Sequence, residues 1–101
     1  MAVQTLLDIR KAVIPICKKY DVKRLYVFGS FSREEQHDSS DVDLILECPS
    51  VKDYTTLFEI KEELSTALQR PVDLFDMESI ARSKEKNLKA NIMDDKIMVY
   101  P

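Results

Sequence analysis

Leu6, Ile9, Val13, Ile16, Cys17 and Tyr20 recur at helical spacing, and Asp8, Lys11, Lys18 and Lys19 take the other faces. The pattern predicts an amphipathic helix over about residues 4–20, kinked or divided in two by Pro15, with Asp21-Val22 as a turn. Arg24 to Phe28 reads as a short strand stopped by Gly29, and Val42 to Leu46 as a second strand ended by Pro49. Between them, Ser30 to Glu35 suits one or two helical turns, and His37-Asp38-Ser39-Ser40 reads as polar loop. Ser50, with Asp53 three residues on, predicts a capping box for a helix that gathers Tyr54, Leu57, Phe58, Leu64, Ala67 and Leu68 near one face. Arg70-Pro71 closes that helix, and Val72-Asp73-Leu74-Phe75 forms a third strand. Residues 78–92 are helix-prone, with Ile80, Leu88 and Ile92 inward; Asp94-Asp95 turns the chain, and Lys96 to Tyr100 is a last extended segment. The order α-β-α-β-α-β-α-β predicts an α/β domain, a small mixed β-sheet with helices packed against it.

Length and composition narrow the class. The chain has 101 residues, which suits a single domain over 1–101, and 45% hydrophobic residues, enough for a core. Net charge is −3, and Lys and Arg form no basic block beyond pairs such as Lys18-Lys19, so direct nucleic-acid binding is not expected. No apolar run approaches the roughly 20 residues of a membrane span, and no basic region precedes an apolar core at the N-terminus. Cys17 and Cys48 lack metal-ligand spacing and read as small apolar residues of a reducing compartment. A cytoplasmic location is expected.

Candidate chemistry gathers around the only glycine. Ordinary composition predicts roughly seven glycines in such a chain; here Gly29 stands alone, at the end of the first strand. Lacking Cβ, it lets the backbone approach a phosphate closely, and the Ser30 hydroxyl adds a hydrogen-bonding group. Asp41 and Asp43, two residues apart at the head of the second strand, share one face by strand periodicity, leaving Val42, Leu44 and Leu46 to the apolar face. Two adjacent carboxylates repel each other, and a divalent cation resolves the conflict. Mg²⁺ uses one or two carboxylates and completes its shell with water and phosphate oxygens. A third acid would bridge a second metal or act as base. Asp73, inside an apolar strand where a lone charge is costly, is the first candidate, and Asp76 at the strand's end the second. A phosphate cradle beside a metal site suits phosphoryl or nucleotidyl transfer.

These residues resemble the signature of the polymerase-beta-type nucleotidyltransferase superfamily, and more narrowly of the minimal nucleotidyltransferases, or MNT proteins. That signature is Gly-Ser, ten residues, then Asp-x-Asp; here it is Gly29-Ser30, the ten residues Phe31 to Ser40, then Asp41-Val42-Asp43. Leu25-Tyr26-Val27-Phe28, Ser40, Leu44, Pro71-Val72-Asp73-Leu74 and Ile97-Met98-Val99-Tyr100 match the supporting segments. The resemblance implies the nucleotidyltransferase fold, with Asp41, Asp43 and Asp73 as the catalytic carboxylates holding Mg²⁺, in a two-metal site. It also implies Gly29, Ser30 and Ser40 as nucleotide contacts and ATP as substrate. Glu34 stands where many relatives carry a second glycine, which places a negative charge near the triphosphate. Minimal members pair with a HEPN-domain toxin as antitoxins in hetero-oligomers, and the resemblance implies transfer of AMP from ATP to a tyrosine of that ribonuclease toxin. Two other readings are an MNT-fold antitoxin with an idle site that acts by binding alone, and a small-molecule nucleotidyltransferase, whose acceptor site would require a second domain or subunit.

The remaining polar residues carry little. His37 reads as a surface residue, Met93 and Met98 as core, and Glu59, Glu62 and Glu63 as the solvated face of the long helix; Lys84, Glu85 and Lys86 read likewise.

Overall fold

The computed structural model describes residues 5–29, 41–81 and 96–101. Helix α1 runs Leu6–Lys19, strand β1 Arg24–Phe28, strand β2 Val42–Glu47 and helix α2 Tyr54–Leu68. Strand β3 follows at Val72–Asp76, helix α3 at Met77–Ala81 and strand β4 at Ile97–Tyr100. The strands form one four-stranded sheet in the order β3-β2-β1-β4, mixed because β2 and β3 are parallel and the other pairs antiparallel. This is the mixed sheet with packed helices that the sequence predicts. The predicted turns at 30–35, the loop at 37–40, the turn at 94–95 and the inward Leu88, Ile92 and Met93 lie outside the described residues.

Pro15 does not divide α1. It sits on the exposed side of a helix whose Ile9, Val13, Ile16 and Cys17 are buried, so packing on both sides of the proline outweighs one lost backbone hydrogen bond. A capping box does occur, but here rather than at Ser50: Asp8 N–H donates to Thr5 Oγ1, and Thr5 N–H donates to Asp8 Oδ2. For α2 the N-cap is Asp53 itself, whose carboxylate accepts from the Thr56 N–H at 3.1 Å.

The face of α2 also differs from expectation. Ile60, Leu64 and Leu68 are buried and Leu57 packs against the core, whereas Tyr54, Phe58 and Ala67 are exposed. The set 57, 60, 64, 68 follows the helical repeat along a single line, and Tyr54 at the first turn is exposed. Glu63 is not merely solvated: it accepts hydrogen bonds from the Tyr20 hydroxyl and Lys19 Nζ, tying the end of α1 to α2. These donors hold the Glu63 carboxyl below its ordinary value of 4.5. A depressed folded pKa adds stability above the unfolded value and loses it as pH falls through the folded one. The difference in urea midpoint between wild type and Glu63→Gln is therefore expected to be present at neutral pH and to vanish in acid. A difference independent of pH would show that the carboxylate charge is irrelevant.

One face of the sheet meets α1 and α2. Leu25, Val27, Val42, Leu44, Leu46, Val72 and Val99 are buried there with the helical residues. Cys17 and Cys48 join this core as free cysteines. Burial, with a smaller contribution from Cys48, pushes the Cys17 thiol up to about 12. That leaves almost no thiolate, so Cys17 is unreactive at neutral pH. On the opposite face, Ile45 and Ile80 form a second, smaller cluster with Tyr26, Phe28 and Met77. Met98 is 42% exposed rather than core, because it pairs with Tyr26 on this thinly covered face.

Candidate active site

The second face carries the candidate site residues Asp43 and Asp73. In the antiparallel pair β1–β2, Phe28 lies opposite Asp43; in the parallel pair β2–β3, Asp43 lies beside Asp73. One row across the sheet thus reads Phe28, Asp43, Asp73, with adjacent strands about 4.8 Å apart. Asp43 is half-buried and Asp73 exposed. Asp73 is not enclosed within an apolar strand, because β3 lies at the sheet edge among the described strands. Its side chain alternates to the open face, while Val72 and Leu74 face the helices.

Asp76 does not join this set. It pairs with Leu46, three positions along the strand from Asp73, and by strand periodicity it belongs to the helix-covered face. The register therefore favours Asp73 over Asp76 as the acid beside Asp43. Asp41 is the residue before β2, exposed, at the same end of the sheet. That end is tied to β3 by the Val42 N–H donating to the Pro71 carbonyl at 2.9 Å. Ser30, Ser40, Glu34 and His37 lie outside the described residues.

Gly29 meets the carboxylates directly. It has φ +75°, a conformation that side chains disfavour, and a Cβ added there would stand 2.5 Å from Asp43 Oδ2. The glycine thus serves two needs at once: the turn out of β1 and the space for the Asp43 carboxylate. Arg70, only 4% exposed, sits between α2 and the first residues of β3. In the sequence it reads only as the close of α2; its burial three residues before Asp73 is set by the tertiary structure.

Among the described residues, no three His, Cys, Asp or Glu side chains gather as a ready-made metal site. A pair of carboxylates beside a bare glycine turn nevertheless fits Mg²⁺, which takes few protein ligands and completes its shell with water and substrate phosphate. A groove of about 490 Å³ lies elsewhere. It opens at the carboxyl ends of β2 and β3, between Cys48, Val51, Tyr54, Leu57 and Asp76, and its lining includes neither Gly29 nor Asp41, Asp43 or Asp73.

A mixed sheet with α1 and α2 on one face, α3 on the other, and a glycine turn set against the Asp43 carboxylate is the architecture of a nucleotidyltransferase domain. Residues 11–101 match the family model described as "Polymerase beta, Nucleotidyltransferase", and the chain belongs to that family. A Methanocaldococcus jannaschii protein named "Putative protein adenylyltransferase" is 38% identical over 73 residues, covering 72% of this chain and 78% of its own length. A solved structure described as a "putative minimal nucleotidyltransferase" superposes with TM-score 0.73 at 26% identity, covering 96% of this chain and 95% of its own. A chain of the complex of a tri-AMPylated Shewanella oneidensis HEPN toxin with its MNT antitoxin gives TM-score 0.67 at 20% identity, covering 95% of this chain and 72% of its own; this is a likeness of fold. These matches agree with the family resemblance of the Gly29-Ser30 and Asp41-Val42-Asp43 motif.

Proposed function

We propose that this chain is a protein adenylyltransferase antitoxin, moving AMP from ATP to a tyrosine of a partner HEPN toxin and so silencing it. The observation that carries the reading is the contact of Gly29 with Asp43, in register with Asp73. A turn able to bind phosphate beside neighbouring acids supports nucleotidyl transfer. The name of the M. jannaschii relative and the AMPylated toxin in the S. oneidensis complex support the choice of AMP and of a HEPN partner.

Asp41 and Asp43 would hold Mg²⁺, and Asp73 would complete the set for a second ion. Bound Mg²⁺ neutralises phosphate charge and steadies the leaving group. The backbone at Gly29 and the hydroxyls of Ser30 and Ser40 bind the triphosphate. Asp73 accepts the proton of the tyrosine hydroxyl as its oxygen bonds to the α-phosphorus and the bond to pyrophosphate breaks. Rate enhancement comes from alignment and electrostatics, with no covalent enzyme intermediate. The complex with the toxin is a hetero-oligomer in the cytoplasm, and it involves neither direct nucleic-acid contact nor a membrane.

The test is intact-mass spectrometry of a HEPN toxin co-purified with this chain, after incubation with ATP and Mg²⁺. A gain of one or more AMP units, mapped to tyrosine, is the expected result. A stable complex with no gain in mass would sink the enzymatic reading and leave an antitoxin that acts by binding alone.

A further inference from the structure

Phe28 and Phe75 stand on β1 and β3, on either side of β2. Two strand spacings and a two-residue step along the strands separate their backbones by about 12 Å, yet their ring centroids are 5.5 Å apart, tilted at 58°. Both rings therefore lean toward the central strand, and Phe28 packs against the cluster of Ile45, which is fully buried. This aromatic bridge borders the Asp43–Asp73 row, because Phe75 follows Asp73 by two residues and shares its face. Phe75 remains 41% exposed, so its ring is open to a partner.

The layout of the site says which part of the reaction this ledge serves. Gly29 lies on the β1 side of Asp43, and Asp73 on the β3 side. In an in-line displacement the acceptor and the leaving group occupy opposite sides of the phosphorus. With the triphosphate on the Gly29 turn, the acceptor approaches over β3. An acceptor hydroxyl at Asp73 then has its attached group over Phe75, about 6.6 Å along the strand.

We propose that Phe75, braced by Phe28, seats the aromatic ring of the acceptor, and so selects a phenolic hydroxyl over an aliphatic one. This rests on the adenylyltransferase reading above. The phenol ring packs against the exposed Phe75 ring, tilted or offset as aromatic pairs prefer. Its oxygen points to Asp73 and forms the new bond to the α-phosphorus. The proton passes to the Asp73 carboxylate, and pyrophosphate leaves toward Gly29.

The experiment compares wild type, Phe75→Leu and Phe75→Tyr in AMP transfer to the co-purified HEPN toxin, with ATP affinity measured separately in the absence of toxin. Loss of one aromatic contact corresponds to about a three- to tenfold drop in kcat/KM for the toxin. That drop is expected in Phe75→Leu, with ATP affinity unchanged and with rescue in Phe75→Tyr. An equal fall in ATP affinity would assign the ring to the nucleobase and overturn the proposal. So would transfer by Phe75→Leu at the wild-type rate, or a loss that Phe75→Tyr does not rescue. Failure of the wild type to label the toxin at all would instead remove the adenylyltransferase reading itself, and this inference with it.

Discussion

Asp43→Asn is expected to lower AMP transfer by about 10²–10³-fold, with the fold intact. Asn is isosteric with Asp, so the half-buried site keeps its shape, and Gly29 keeps a neighbour of the same size. What disappears is the negative charge at the centre of the row, between Phe28 and Asp73. A hard cation binds an amide oxygen far more weakly than a carboxylate, so the triphosphate loses its neutralising partner. The Asp41→Ala/Asp43→Ala double variant is expected to show no transfer above background. The check is the rate of mass gain on the toxin, alongside a thermal melt. Transfer at the wild-type rate by the double variant, with both folds intact, would remove the carboxylates from the chemistry.

Gly29→Ala is expected to damage both stability and activity. At φ +75° an L-residue bears a conformational cost of about 1–2 kcal/mol. In a domain of this size each kcal/mol lowers the melting temperature by about 4–8 °C. The new methyl also meets Asp43 Oδ2 at 2.5 Å, so the carboxylate must swing aside. Transfer should therefore fall about as far as in Asp43→Asn, beyond anything the melting shift explains at an assay temperature where the variant is folded. A variant that melts early yet transfers AMP at the wild-type rate would show that Gly29 shapes only the turn and does not set the carboxylate.

Much of this site is legible in residue order. Gly29 at the end of one apolar run and Asp41-Val42-Asp43 at the head of the next mark both halves of it, because strands alternate faces and a lone glycine signals a backbone need. Other assignments miss because they depend on neighbours. Tyr54 and Phe58 look like core by composition, but α2 lies on the sheet along Leu57, Ile60, Leu64 and Leu68. Glu63 looks like one of several solvated acids until Tyr20 and Lys19 arrive from a helix more than forty positions earlier. Asp73 looks buried because its strand is apolar, yet the apolar residues alternate toward the helices and the strand lies at an edge.

By itself the sequence determined the local and periodic features: α1 and α2, the strands, and the placing of Asp41 and Asp43 at the head of the second strand. Each follows from interactions within a few residues, where spacing alone decides which side chains share a face. Only the tertiary structure decided that β3 runs parallel to β2 in the register that sets Asp73, and not Asp76, beside Asp43. Only it set the rings of Phe28 and Phe75 together over β2, and the Gly29 turn against Asp43. Register between distant strands is set by the burial of a whole face against α1 and α2, since a slip of one residue would turn every buried side chain to the open side.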